Sequence, residues 1–256
     1  MTTPQDSAPE LTVTTLAERP ELRGAVWGMA EDWPEFILHD HVGWGYMGRI
    51  LTELPEYVIV ATDPEGAVVA RGFSVPFVLD MEGRRELPAT GWDQALLWAF
   101  SDLRHGRKPD TVSAIEITVT TGMLGRGISG RMVAALRDNA RARGFAELVA
   151  PVRPNAKHLE PEVPMSEYAF RTRERDGLPH DPWLRVHVRA GGAIDAVAPA
   201  SMTVAGSLEQ WRTWTGLPFD TDGPVRVPGG LVPVRCSLEH GHAVYVEPNV
   251  WVRHRL

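Results

Sequence analysis

The sequence lacks paired cysteines, a long apolar run, a signal-peptide pattern and a positive net charge, and each absence excludes a class of protein. A single cysteine among 256 residues, Cys236, excludes an internal disulfide and fits a reducing compartment. No apolar run approaches the roughly 18 residues of a membrane span, and the polar start MTTPQDSAPE has no signal-peptide pattern. The net charge of −7 argues against a protein that coats nucleic acid or an anionic membrane. We therefore expect a cytoplasmic protein whose partners include neither a membrane nor nucleic acid.

Strand and helix patterns alternate along the first 152 residues. Hydrophobic residues make up 43% of the chain and charged residues 23%, as in ordinary globular proteins. The patterns predict strands at 11–15, 56–62, 67–79, 113–119 and 146–152, and helices at 20–30, 46–54, 92–103 and 129–143. Mixed alternation of this kind predicts an α/β fold in layers, with helices packed on a central sheet.

The pattern loosens after Pro154. We expect helices at 165–175 and 181–190, strands at 193–204 and 242–252, and a covering loop at 206–233 with a short helix at 208–214. The second of these helices is well delimited, because Asp181 suits the N-cap and Gly191 the left-handed C-terminal position. No linker is evident, so we predict a disordered tail at 1–9, one domain at 10–204, and a C-terminal extension at 205–256 packed on it.

One strand–loop–helix segment, Ile115–Leu136, carries the functional inference. Three small residues, Gly125, Gly127 and Ser129, alternate at its turn, and such residues let the backbone N–H groups converge on a ligand. The helix that follows adds unpaired N–H donors and the positive end of its dipole. Together these groups predict a phosphate or pyrophosphate site, although a tight turn that needs glycine for packing alone would show the same pattern.

The sequence does not match two other nucleotide-binding motifs, the P-loop and the dinucleotide fingerprint. A P-loop needs Gly-Lys-Ser/Thr, whereas Gly130 is followed here by Arg131. A dinucleotide fingerprint needs an acidic residue about 20 residues downstream, and Pro151 and Arg153 occupy that region.

The segment resembles the diagnostic stretch of the GNAT (GCN5-related N-acetyltransferase) superfamily. The core Gly-Arg-Gly-Ile at 125–128 matches, while Thr121-Gly122 replaces the usual Pro-Glu, Leu124 a polar residue, and Ser129 a glycine or alanine. Asn155 follows the next strand, as in the family, and aligning Gly191 with the family's later glycine puts His187 where a tyrosine usually sits. The resemblance spans about residues 10 to 204 and implies a mixed, mostly antiparallel sheet flanked by helices.

The resemblance also implies an acyl-CoA donor, most simply acetyl-CoA, and direct transfer to a small-molecule amine. The strand at 115–119 would polarise the thioester through a backbone N–H, and a β-bulge there would make room for the pantetheine arm. The residues expected to bind the donor are Ile117, Val119, Leu124, Gly125, Arg126, Gly127, Ile128, Ser129, Gly130 and Asn155. Arg126 and Arg131 are also placed to meet CoA phosphates.

Three residues are candidates for proton transfer. Glu116 is a carboxylate in a strand otherwise made of apolar residues, so it is the expected base, although it could equally pair with an arginine. His187 is the expected acid from its aligned position, the alternative being a histidine packed on a helix face. Tyr168 is the reserve acid, since the inserted helix that carries it could fold over the cleft.

His39, His41 and Trp33 are the candidates for the acceptor site. They lie in the connection that borders this site in the family. The His-x-His spacing also allows a metal, but no third ligand stands at a diagnostic spacing, so we expect no metal site.

Two alternatives use the same fold. Either the donor is a carrier protein or an aminoacyl-tRNA, which the departure at Leu124 leaves open, or the protein binds acyl-CoA without catalysis. A homodimer is also compatible with the sequence.

Overall fold

The computed structural model describes residues 10–30 and 33–256, so the tail predicted at 1–9 lies outside the described residues. Nine strands and seven α-helices occur in this part of the chain. The strands are β1 (Thr12–Thr15), β2 (Val58–Thr62), β3 (Val68–Phe77), β4 (Thr111–Val119), β5 (Glu147–Val152), β6 (Gly192–Ser207), β7 (Gly223–Val225), β8 (Val234–Ser237) and β9 (His242–Arg255). The helices are α1 (Arg23–Trp27), α2 (His41–Glu53), α3 (Gly91–Arg104), α4 (Ile128–Ala142), α5 (Met165–Tyr168), α6 (Pro182–Arg189) and α7 (Leu208–Thr215).

All nine strands form one mixed sheet. Its order is β1-β2-β3-β4-β5-β9-β8-β7, with β6 paired to β9 off this path. Every pairing is antiparallel except β4 with β5, which is parallel. The mostly antiparallel mixed sheet flanked by helices, expected from the sequence, is confirmed.

Helices cover the sheet on both faces. Helices α1, α2 and α3 all pack on β3, and α3 also contacts β6 and β9. Helix α4 packs on the opposite face, because a Cβ at Gly72 would meet Leu136 of α4, while the neighbouring Arg71 reaches the carbonyl of Val26 in α1. Helix α6 contacts both α4 and β6. The α1–α3 face and the α4/α6 face are therefore distinct environments.

Three predicted elements differ from the structure. Helix α2 begins at His41 rather than 46, because the carboxylate of Asp40 caps it by accepting from the Gly43 N–H at 2.5 Å. The helix expected at 165–175 ends at Tyr168, since Arg173, Leu178 and His180 close a hydrogen-bonded turn instead. Strand β7 crosses the expected covering loop, within which α7 forms nearly as predicted.

The predicted extension at 205–256 contributes strands to the same sheet. Strand β9 pairs with β6 along one edge, and with β5 and β8 along the other. A second apolar cluster under α7 joins Phe36, Trp211, Phe219 and Tyr245 with smaller side chains. The boundary at 204 stays a prediction, but the segment is packed on the sheet that carries the rest of the fold. Among the described residues, no helix is both long and apolar enough to cross a membrane.

Candidate active site

The glycine-rich loop leaves its backbone open to a ligand. Gly125 and Gly127 have φ of +77° and +75°, a left-handed conformation that glycine adopts without strain. Gly127 is the N-cap of α4, and no side chain caps this helix end. Among the described residues, nothing lies within 4 Å of a Cβ built at either glycine. The first N–H groups of α4, from Ile128 to Gly130, therefore face open space beside exposed Leu124 and Arg126.

Strand β4 carries a bulge and then leaves its parallel neighbour. The register pairs Phe73 with Glu116 but Ser74 with Ala114, so Ile115 is the extra residue. Only two residues of β4, Val112 and Ser113, pair with β5. Beyond Ser113, the edge of β4 that faces β5, including the region of Ile117 and Val119, is free of sheet pairing. The two strands thus open into a cleft that leads towards the glycine-rich loop.

Glu116 lies in a buried ion pair on the α1–α3 face. Its carboxylate accepts from the guanidinium of Arg71 at 2.7 Å and from the hydroxyl of Thr118 at 2.8 Å. The side chain of Glu116 is 6% exposed and that of Arg71 is 1% exposed. Arg71 also donates to the carbonyl of Val26 at 2.7 Å. The carboxylate is therefore rigidly held beside the bulge.

His187 lies on the α4/α6 face, remote in the fold from the α1–α3 face. It is buried, and its Nδ1 lies 3.0 Å from Nε2 of the equally buried His254. Burial, and then the charge of His254, lower the pKa of His187 to about 3. Burial lowers the pKa of His254 to about 4. Both rings are enclosed and their lowered pKa values favour the neutral forms, so this placement gives the predicted acid role no support.

Tyr168 is buried, whereas Asn155 is exposed. The Tyr168 hydroxyl is buried and donates to Asp181 at 3.0 Å. Burial, and then the charge of Asp181, raise the pKa of Tyr168 far above its ordinary value. Asn155 is exposed directly after β5. The contacts of Tyr168 are those of a structural residue that joins α5 to the cap of α6.

The three predicted acceptor residues lie near the start of α2 and the second apolar cluster. Trp33 has the guanidinium of Arg153 over its ring at 5.5 Å. His39 stacks on Trp214 at 4.2 Å between ring centroids, and its Nε2 lies 3.2 Å from the carboxylate of Glu35. His41 is exposed at the start of α2. The structure brings Trp33 and His39 to one side of the fold without placing either against Glu116.

A polar network that the sequence reading missed runs from β4 to β9. The indole N–H of Trp92 donates to the carbonyl of the bulged Ile115 at 2.9 Å, and its backbone N–H donates to Ser201 at 2.8 Å. Ser201 donates to Asn249 at 2.6 Å, and Asn249 donates to Glu247 at 3.0 Å. Glu247 is in turn neutralised by Arg153, with both carboxylate oxygens 3.0 Å from its Nε. The start of α3 is thus tied to the bulge and to the middle of β9.

Two further carboxylates, Asp40 and Asp93, belong to the same face and were also missed. They are 2% and 9% exposed, respectively. Burial raises the pKa of Asp40. Burial, and then the charge of Asp40, raise the pKa of Asp93 to about 8. Their positions, the N-cap of α2 and the first turn of α3, read in the sequence as ordinary capping residues, so no local signal marks them.

The described residues contain no group of three or more histidine, cysteine, aspartate and glutamate side chains that could hold a metal ion. Two surface grooves lie away from the cleft. One, of about 470 Å³, runs between β1 and α4, and the other, of about 660 Å³, is lined mainly by prolines and valines near β8 and β9. The polar groups described near the cleft are backbone N–H groups and the buried carboxylates of the α1–α3 face.

Comparison with known proteins identifies the family. No family model matches the chain. The chain is 33% identical over 277 residues to the arginine N-acetyltransferase avaD of Aspergillus versicolor, a match that covers 96% of this chain and 94% of that protein. In fold it is similar to the loading GNATL domain of CurA from Lyngbya majuscula, with a TM-score of 0.59, 15% identity, and 96% of this chain and 98% of that chain covered. The GphF GNAT-like decarboxylase, solved with isobutyryl-CoA, gives a TM-score of 0.52 with the same identity and coverage.

The match to avaD runs along nearly the whole of both chains. The mixed sheet, the bulge and the open glycine-rich loop are the features that the family resemblance implied. The resemblance inferred from the sequence is thereby confirmed. The chain belongs to the GNAT superfamily and is an N-acyltransferase that transfers an acyl group from acyl-CoA to a small amine.

Proposed function

We propose that the protein transfers an acetyl group from acetyl-CoA to the amine of an amino-acid-sized acceptor that carries a guanidinium group, as arginine does. The acyl group and the acceptor class follow the name of the relative that is 33% identical. The observation that carries the proposal is the cleft between β4 and β5, which begins at the bulged Ile115 and leads towards the open helix end at Gly127.

The proposed donor site uses the backbone. The N–H groups of Gly125 to Gly130 would bind the pyrophosphate of the donor, with Arg126 as a side-chain partner at the exposed rim. The free edge of β4 near Ile117 and Val119 would lie along the pantetheine arm. A backbone N–H of this edge would donate to the thioester oxygen as it becomes negative during attack. Asn155, at the end of β5, would lie on the other side of the arm.

Glu116 is the proposed base. In direct transfer, the amine nitrogen attacks the thioester carbonyl carbon, the C–S bond breaks as the intermediate collapses, and the thiolate leaves. The nitrogen loses one proton in the process, and Glu116, beside the bulge, would take it directly or through a water. The thiolate requires a proton from a second group, for which His187 and Tyr168 remain the predicted donors although both are buried in structural contacts.

The remaining expectations concern the acceptor entry, the cellular location, the oligomeric state and the domain boundary. Trp33, His39 and His41 would border the entry for the acceptor. A cytoplasmic location, a homodimer, and a domain boundary at 204 stay predictions; size-exclusion chromatography with light scattering tests the second.

The test is thiol release from acetyl-CoA with L-arginine, L-lysine and L-citrulline as acceptors, together with mass spectrometry of the products. We expect acetylated arginine and CoA in equal amounts, and less product from citrulline, whose urea is neutral. Acetyl-CoA binding without thiol release from any acceptor would leave the protein a binding module and overturn the proposal. Faster transfer to citrulline than to arginine would overturn the acceptor class alone.

A further inference from the structure

We propose that Asp40 and Asp93 form the subsite that binds the guanidinium group of the acceptor. This inference rests on the proposed function, because it assigns the part of the chain that recognises a cationic acceptor. It concerns two residues at the starts of α2 and α3 that have no part in the donor site or in proton transfer.

The first observation is that each carboxylate has an oxygen without a partner. Oδ1 of Asp40 and Oδ1 of Asp93 are buried and have no hydrogen bond to any described residue. Such oxygens are costly to bury unless a donor reaches them. The residues outside the description, 1–9 and 31–32, contain no lysine, arginine or histidine, so they provide no cationic side chain for this purpose.

The second observation is the position of the pair relative to the cleft. A Cβ built at Gly43 would lie 3.1 Å from Oδ2 of Asp40 and 3.1 Å from the ring edge of Trp92, so these two groups are neighbours. Asp93 follows Trp92 directly. The indole of Trp92 donates to the carbonyl of Ile115, the bulged residue where the cleft begins. The carboxylates therefore lie about one tryptophan side chain away from the proposed point of transfer.

The third observation is electrostatic. Two other buried carboxylates of this face, Glu116 and Glu247, are each matched by an arginine. The charged groups that face Asp93 are Asp40, with His41 beside it, and Glu247, which Arg153 neutralises. Asp40 and Asp93 thus lack a cation where their neighbours have one, and a guanidinium with five N–H donors can serve two separate carboxylates at once.

Propylguanidine and its neutral isostere propylurea, measured by isothermal titration calorimetry, test the inference. Neither compound carries the acceptor amine, and the guanidinium stays charged throughout the accessible pH range. We expect propylguanidine to bind more tightly than propylurea. Because its binding requires ionised Asp93, its affinity should rise about tenfold from about pH 7 to about pH 9. Binding near neutral pH should also release a proton, seen as heat that varies with the buffer.

The variants Asp40→Asn and Asp93→Asn should each weaken propylguanidine binding by about tenfold or more, as loss of a charge-assisted contact does. Asparagine keeps the N-cap of α2 and removes a buried charge, so thermal melting should show folded proteins. Asp138→Asn is the matched control, since that carboxylate is 71% exposed on α4 on the other face. Its affinity should equal that of the wild type.

Two results would overturn the inference. One is equal affinity for propylguanidine in Asp93→Asn and the wild type, and the other is equal affinity of the wild type for propylguanidine and propylurea. If a variant fails to fold, a flat pH dependence in the wild type decides against the proposal. Absence of acetyl transfer to arginine alongside the expected propylguanidine results would defeat the proposed function while leaving the subsite in place.

Discussion

The two faces of the sheet bury titratable groups in opposite ways. On the α1–α3 face, Glu116 and Glu247 are each held by an arginine, and the charged side chains cluster around the cleft. On the α4/α6 face, His187 and His254 pair with each other, and burial lowers the pKa of both. The α1–α3 face therefore holds ionised side chains beside the cleft, whereas the α4/α6 face encloses imidazoles whose lowered pKa values favour the neutral form. From this difference we expect the chemistry to take place on the α1–α3 face.

The largest effect expected from this comparison is on turnover. Glu116→Gln should lower kcat by about 10²- to 10⁴-fold, since proton transfer by a positioned base contributes that much. The matched control is Glu247→Gln, which removes the charge of another arginine-paired carboxylate on the same face. Both variants should lose roughly 1–3 kcal/mol of unfolding free energy, because each leaves a buried or partly buried arginine without its ion pair. Steady-state thiol release and urea denaturation measure the two effects, and an unchanged kcat in Glu116→Gln would show that another group is the base.

Donor binding should respond next most strongly. Gly127→Val forces a β-branched residue to a φ of +75° and should weaken acetyl-CoA binding by about 100-fold as the loop rearranges. Gly66→Val imposes the same strain at a φ of +85° in the β2–β3 turn. At both positions a Cβ would meet nothing within 4 Å, so steric clash does not separate the two variants. Calorimetric titration should show normal affinity for Gly66→Val, and equal losses in both would mean that the loop does not hold the donor.

The residues that the sequence predicted share one property: each stands out within a short stretch of the sequence. Gly125 and Gly127 stand out within one turn, and Glu116 stands out among the apolar residues of one strand. Asp40 and Asp93 lack this property, because they are 53 positions apart and each looks like a helix cap. Their common environment exists only because α2 and α3 pack on the same face of the sheet.

Tertiary packing also decides the surroundings of other predicted positions. Alignment put His187 near the cleft on the strength of Gly191, but the face of α6 that carries it is set by tertiary packing against β9. The long helix expected at 165–175 failed because contacts between Arg173 and Leu178 favour a turn over continued helix. Strand β7 was missed because its Gly-Pro-Val sequence reads as a loop until β8 pairs with it.

The histidine pair of the α4/α6 face should affect acid stability rather than catalysis. The folded pKa of His187, about 3, lies below the ordinary histidine value of 6.5. Between these two values the unfolded chain binds more protons, so this group's contribution to stability is lost as pH falls below about 6.5. His187→Gln should therefore move the acid unfolding midpoint down by about one pH unit while kcat stays near the wild-type value.

Circular dichroism across an acid titration and kcat against pH provide the measurement. His180→Gln is a suitable control, since His180 is an exposed histidine near the same helix. A loss of kcat in His187→Gln with normal folding would support the predicted role of His187 as the acid. It would also contradict the expectation that the chemistry takes place on the α1–α3 face alone.

The smallest expected effect concerns Tyr168, the reserve acid. Tyr168→Phe removes the hydrogen bond that joins α5 to Asp181. It should cost about 1 kcal/mol, or a fall in Tm of roughly 2–4 °C in a chain of this size. Tyr46→Phe is the control, because the hydroxyl of Tyr46 makes no hydrogen bond to the described residues, and its Tm should not change.

Since the Tyr168 hydroxyl already donates to Asp181 and burial raises its pKa, the kcat of Tyr168→Phe should be unaffected. A kcat that falls while Tm holds would instead mean that this hydroxyl reaches the leaving thiolate, and that the enclosed groups beyond the α1–α3 face take part in the reaction.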